Sequence, residues 1–218
     1  MKKTRLTALM LSLMLLTSCG ILDKLGFDTY DYMSESVTMT HKSDSEIAGV
    51  LEDVLNVLIT DSPGLVTFES MGDAIKAYRD AVLDHMLETG YSRYSGNTEL
   101  IGKAAEAYPE YSITQIIPED EFEATMYRYF GGDVMITHKD GSRFRYLEKV
   151  GAYAATVPLS GSGYQPEITA VSETEKTYRV WFCVTSENVR SDDYFALIIK
   201  RDDGTLYIKK LLPASEIQ

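Results

Sequence analysis

Cysteine, histidine and basic residues are all scarce in this chain. Its 218 residues include two Cys and three His, and 21 Lys and Arg stand against 33 Asp and Glu, for a formal net charge of −12. The paired spacings Cys-x-x-Cys and His-Glu-x-x-His, through which zinc sites usually announce themselves, are absent. So are the phosphate-cradling Gly-x-x-x-x-Gly-Lys loop, the Gly-x-Ser-x-Gly elbow and the calcium-loop spacing. With no dense basic run in the body to neutralise phosphates, the composition argues against nucleic acid as a partner. Six Pro, fifteen Gly and 25% charged residues exclude a collagen-like, wholly disordered or polytopic membrane chain. What is left, at 44% hydrophobic residues, is one compact domain with a short appendage.

The appendage is at the N-terminus. Lys2, Lys3 and Arg5 make a positive start, and Leu6 to Leu16 make an apolar stretch of signal-peptide length that is too short to span a bilayer. Leu16-Thr17-Ser18-Cys19-Gly20 then resembles the bacterial lipoprotein signal, with Leu at −3, small residues at −2 and −1, and the Cys that is diacylated before cleavage. That resemblance implies a signal peptide at residues 1–18, lipidation on Cys19 and anchorage on the extracytoplasmic face of the cell membrane. Cleavage would remove three positive charges and no acid, taking the net charge from −12 to −15. Acyl chains would supply the membrane affinity, about 0.8 kcal/mol per buried CH₂, because the acidic body offers no attraction to anionic lipid. Residues 19–42 lack sustained periodicity and are read as a tether; a flexible coil of that length averages about 25–30 Å end to end.

The domain is expected over residues 43–218. Ser43-Asp44-Ser45-Glu46 has the form of a capping box, and Ile47, Val50, Leu51, Val54, Leu55, Leu58 and Ile59 follow at helical spacing. Further helices are predicted from about Ser70 to Thr89, from Thr98 to Ala107 and from Pro118 through Phe130, where acids in the first turn suit the helix dipole. After Gly131-Gly132 the pattern becomes strands, at 134–137, 142–147, 168–172, 177–186, 194–201 and 205–211, with Asp140-Gly141 and Asp203-Gly204 as hairpin turns. Helices before strands predict an α+β fold with one core: N-terminal helices on a curved antiparallel sheet. That element order is similar to the cystatin-like, or nuclear-transport-factor-like, cone.

Candidate chemistry is sparse. Once Cys19 carries lipid, Cys183 has no disulfide partner, and in Val180-Trp181-Phe182-Cys183-Val184 it reads as an inert buried side chain. His41 falls in the tether, His85 near a helix end and His138 beside a turn, so surface positions are expected and neither a metal nor a cofactor is assigned. The acids Glu119, Asp120, Glu121 and Glu123 read as a solvated first turn; were the chain a hydrolase, isolated acids such as Glu148 or Glu167 would be the better candidates. Fifteen Tyr stand out, because Tyr joins a large apolar face to a polar tip. Tyr153 and Tyr164 flank Ser160-Gly161-Ser162-Gly163 and are the candidate rim of a binding surface.

The runs Ile117-Pro118-Glu119-Asp120-Glu121-Phe122, Tyr129-Phe130-Gly131-Gly132-Asp133-Val134, Phe144-Arg145-Tyr146, Ile168-Thr169-Ala170-Val171, Tyr178-Arg179-Val180-Trp181 and Asp203-Gly204-Thr205-Leu206-Tyr207 resemble uncharacterised lipoproteins of Gram-positive anaerobes. In placing a helix that ends in an aromatic pair ahead of such a sheet, the chain also resembles the cell-wall D,L-endopeptidase inhibitor family. That resemblance implies a noncatalytic role, binding a cell-wall enzyme. The alternative is a pocket for a small ligand or wall glycan. An aromatic-lined cavity would favour the pocket, an exposed apolar patch near 151–166 the protein partner, and perturbed acids or an acid with a His in the cavity an enzyme.

Overall fold

The computed structural model describes residues 31–132, 135–156 and 163–217. The expected signal peptide, Cys19 and the first part of the expected tether lie outside the described residues. The compact unit begins at Val37, earlier than expected, because a short strand β1 (Met39–His41) pairs antiparallel with the far end of β5 (Gln165–Glu173). Three residues are too few to display a period-two pattern, so this strand reads as tether in the sequence.

Helix α1 (Glu46–Leu55) starts at Ser45 rather than Ser43, since it is the Ser45 hydroxyl that accepts from Ala48 N–H. A 3₁₀ turn (Asn56–Leu58) extends it. Helix α2 (Met71–Thr89) is capped by Ser70, whose hydroxyl accepts from Asp73 N–H and donates to the Asp73 carboxylate, a reciprocal box. A short α3 (Tyr91–Ser95), α4 (Thr98–Ala107) and α5 (Glu119–Phe130) follow. Gly131 ends α5 at φ 72°, and a Cβ there would meet the Tyr207 ring at 2.6 Å, so both conformation and space require Gly.

The fold is α+β. Strands β6 (Thr177–Ser186), β8 (Tyr194–Lys200) and β9 (Leu206–Pro213) complete an antiparallel sheet in the order β1-β5-β6-β8-β9, with β7 (Val189–Arg190) paired to the end of β6. Helices α1 and α5 pack on β5 and β9, and α2 packs on α5. The core between them is aromatic: Tyr78 stacks on Phe130 at 6.0 Å, and Phe68 meets both rings edge-on at 5.7 Å. On the opposite face, Leu197 is buried between its cross-strand neighbours Arg179 and Lys210, and Phe195 lies against Trp181. Long amphipathic stems thus cover the outer face.

The expected hairpin at Asp140-Gly141 does not form. Residues 135–137 are not strand; β3 (Phe144–Leu147) instead pairs with β4 (Ala152–Ala155), which also pairs with β2 (Ile116–Pro118) to make a separate three-stranded sheet. The Ala-Tyr-Ala-Ala sequence of β4 carries no β-branched signal, and burial on both sides rather than propensity holds it in the sheet. Between this sheet and α4 lies a second small core of Ala104, Ile116, Leu147, Ala152 and Ala154, so the single expected core is in fact a main core with a satellite.

Candidate functional site

Tyr153 is not a rim residue. It sits on β4, the middle strand of the small sheet, is 0% exposed, and packs against Phe122 at 5.0 Å and Tyr146 at 5.2 Å. Its hydroxyl shares a 3.1 Å hydrogen bond with His138 Nδ1, while His138 Nε2 contacts Glu123 at 3.0 Å. The flanking Gly-rich loop suggested exposure, yet period-two alternation in a three-stranded sheet turns this side chain inward. Tyr164 is partly exposed and does line a cleft.

That cleft, of about 770 Å³, has helix α2 as one wall. The apolar stripe of α2 (Ala74, Tyr78, Val82, Met86) faces the core, which leaves Asp80, Asp84 and Glu88, spaced four apart, on a common polar stripe. Asn56 and Ile59 to Ser62, following α1, form the facing wall; Ser142, Arg143 and Tyr164 complete it. Arg143 reaches between the walls, 3.3 Å from both Asp61 and Asp84. Asp80 is a clamp: one carboxylate oxygen accepts from both the N–H and the hydroxyl of Ser142 at 2.6 Å. Gly141 lies so close that a Cβ there would run into the Asp80 carboxylate.

Asp61 and Asp84 hold the Arg143 guanidinium, Asp80 lies 3.6 Å from Arg79, Glu88 also lines the cleft, and the electrostatics follow. Burial, reinforced by Asp80, Glu88 and Asp61 and opposed by Arg143, raises the pKa of Asp84 to about 6. Beside it, burial and then Arg128 lower that of His85. The lining is therefore polar, with Tyr164 its one aromatic besides His85, which differs from the aromatic cavity expected of a pocket protein. None of β6, β8 or β9 contributes to it, because Phe68, Tyr78 and Phe130 already fill the space between helices and main sheet.

A second cleft, of about 650 Å³, adjoins the C-terminal end of α2 and is lined by α3 and α5 residues including Tyr91, Arg93, Tyr94, Arg128 and Tyr129. His85, Glu88 and Thr89 belong to both clefts. His85 Nε2 and the Tyr129 hydroxyl share a 3.1 Å hydrogen bond, and the Arg128 guanidinium lies 5.5 Å from the Tyr129 ring centre.

The remaining candidates are dispersed. The three histidines are half-buried rather than on the surface: His41 holds Glu173 at 2.5 Å, His85 contacts Tyr129, and His138 contacts Glu123 and Tyr153. The acidic first turn of α5 is also engaged, Glu119 accepting from the Tyr146 hydroxyl and Glu121 pairing with Arg93 at 2.6 Å. Glu148 and Glu167, the isolated acids, are exposed and line neither cleft. Cys183 is fully buried on β6, and burial pushes its thiol pKa up, which disfavours the thiolate a nucleophile needs. Among the described residues, no three His, Cys, Asp or Glu side chains gather as a metal ion would require, and no helix is long and apolar enough to cross a membrane.

No family model matches the chain, and neither does any curated protein or solved structure.

Proposed function

We propose that the chain is an envelope lipoprotein, held on the extracytoplasmic face of the membrane by acylated Cys19, whose domain binds a ligand in the cleft beside α2 without transforming it. The observation that carries the binding reading is the cleft itself: about 770 Å³, with Asp61, Asp84, Glu88, Arg143 and Tyr164 converging on it from separate segments. That volume is within the range of small-ligand sites. Four lining carboxylates outnumber Arg143 and the neighbouring Arg79, which favours a ligand bearing a positive group, as amino-containing wall fragments do. The anchor rests on the lipoprotein-like run ending at Cys19.

Two other readings are weaker. A cell-wall enzyme as partner called for an exposed apolar patch near 151–166; in the described part of that stretch Tyr153 is buried and Tyr164 only partly exposed. A hydrolase is favoured by one observation, the raised Asp84 beside His85. Glycoside hydrolysis needs two carboxylates facing each other across the scissile bond. Here Asp80 and Asp84 share one helix, Asp80 is taken up by Ser142, and Arg143 bridges Asp61 to Asp84. The opposing pair is thus occupied by a cation, which suits binding.

Titration of the isotopically labelled chain with a wall digest, followed by amide shifts, tests this. Shifts clustered on Asp61, Asp84, Arg143 and Tyr164, with recovered digest unchanged in mass, are expected. Shifts elsewhere, or cleavage of the digest, would overturn the reading. For the anchor, Cys19→Ala should abolish acyl labelling and release the domain from membranes; label that persists would contradict it.

A further inference from the structure

The two clefts differ in sign. On one side of the last turns of α2 stand Asp80, Asp61 and Asp84, the last two paired with Arg143; on the other stand Arg93 and Arg128 among Tyr91, Tyr94 and Tyr129. His85, Glu88 and Thr89 line both, so the clefts share a wall. Arg93 is paired with Glu121 at 2.6 Å. Arg128 is exposed, rests on the Tyr129 ring, and has no acidic partner among the described residues. Its guanidinium lines the second cleft, where Glu88 of the shared wall is the one acid, and a guanidinium presented on an aromatic face is a fitting receptor for a carboxylate.

We infer that the two clefts act together as one dipolar groove that binds a zwitterionic ligand, such as a short peptide, with its amino group among Asp61, Asp84 and Glu88 and its carboxylate on Arg128. This rests on the ligand-binding reading above and narrows it to a class of ligand. Opposite ends of such a ligand meet opposite fields, so a reversed or singly charged molecule loses one set of contacts and meets like charge at the other. Discrimination then comes from repulsion as well as attraction. Tyr129, hydrogen-bonded to the shared-wall residue His85, lines the second cleft beneath Arg128. The flanking charges supply orientation.

The experiment measures calorimetric affinity of the full chain in detergent micelles for the tripeptide Lys-Ala-Ala, and for the same peptide amidated at its C-terminus or acetylated on both amines. The free peptide should bind, and either blocked form should bind at least tenfold more weakly. Arg128→Gln should weaken the free peptide at least fivefold and leave the amidated form unaffected; Asp84→Asn should do the converse, weakening the free peptide and sparing the acetylated one. Arg128 is exposed, and Asn keeps the shape of the half-buried Asp84 while Arg143 retains Asp61, so the variants should fold, and a far-UV spectrum checks that. Equal binding of the free and amidated peptides, or an Arg128→Gln variant with wild-type affinity, overturns the dipolar groove while leaving a ligand-binding cleft in place. No binding of the tripeptide also overturns it. If a wall digest then causes no shifts at the cleft either, the broader binding reading falls too.

Discussion

Replacing Asp84 by Asn should make the domain more stable at neutral pH, and the size of the gain can be worked from the cleft. In the unfolded chain the carboxyl titrates near 3.8, whereas folded it holds its proton to about pH 6. Between those values the folded state binds more protons than the unfolded state, so stability falls as pH rises from about 4 to about 6 and is level above that. A difference of about two units corresponds to at most about 3 kcal/mol; with the side chain 21% exposed in an open cleft, screening reduces this to about 1–2 kcal/mol. Asn keeps the shape and removes the ionisation. Arg143 retains Asp61 as a partner, so it is not stranded. Urea unfolding of both proteins at pH 4.5 and pH 7.5 is the assay: the variants should be close at the lower pH, and the Asn protein ahead by about 1–2 kcal/mol at the higher. A variant that is destabilised at pH 7.5, or a difference that does not change with pH, would refute the reasoning. A residue whose ionisation works against the fold is one expected at a binding site.

Other outcomes follow from the same structure. Gly141→Ala forces a methyl into the Asp80 carboxylate and should break its clamp on Ser142, lowering stability by about 1–3 kcal/mol, or roughly 2–12 °C in melting temperature; an unchanged melting curve would contradict the clamp. Tyr153→Phe keeps the packing and leaves His138 Nδ1 without its partner, for a loss of about 1 kcal/mol by chemical denaturation. Had Tyr153 been a rim residue, that change would leave stability untouched. Phe130→Ala removes the ring on which Tyr78 stacks and should cost about 3–5 kcal/mol, while a loss below 1 kcal/mol would mean the aromatic core is not where the fold is held.

The sequence carried the helices and the main sheet because their patterns repeat over many residues. The apolar stripe of 71–89 and the strands at 177–186 and 194–200 are long enough for periodicity to be unambiguous. β1 and β4 escaped for opposite reasons: one is three residues long, the other is built from Ala and Tyr. The site was less legible. A place beside the Gly-rich loop points to both Tyr164, which lines the cleft, and Tyr153, which is buried, so the argument from the loop does not separate the two. Asp80, Asp84 and Glu88 lie four apart opposite an apolar stripe, a signal that was present in the sequence but that describes any solvated helix face. What turns that face into a cleft is tertiary: the Asn56–Ser62 segment set opposite it, and Arg143 delivered by the turn that leads into β3. A contact between residues 61, 84 and 143 has no local trace in the chain. His138, Tyr153 and Glu123 are likewise joined only by packing.

The most direct test of a ligand-binding cleft is the affinity of the intact chain for amino-containing wall fragments, measured side by side in the wild type and in a variant carrying Asp61→Asn and Asp84→Asn. The account predicts that binding to the wild type is saturable and maps to the walls formed by α2 and residues 56–62, and that the double variant, its folding checked by a melting curve because Arg143 loses both of these carboxylate partners, binds at least tenfold more weakly. Undiminished binding by the double variant would contradict it.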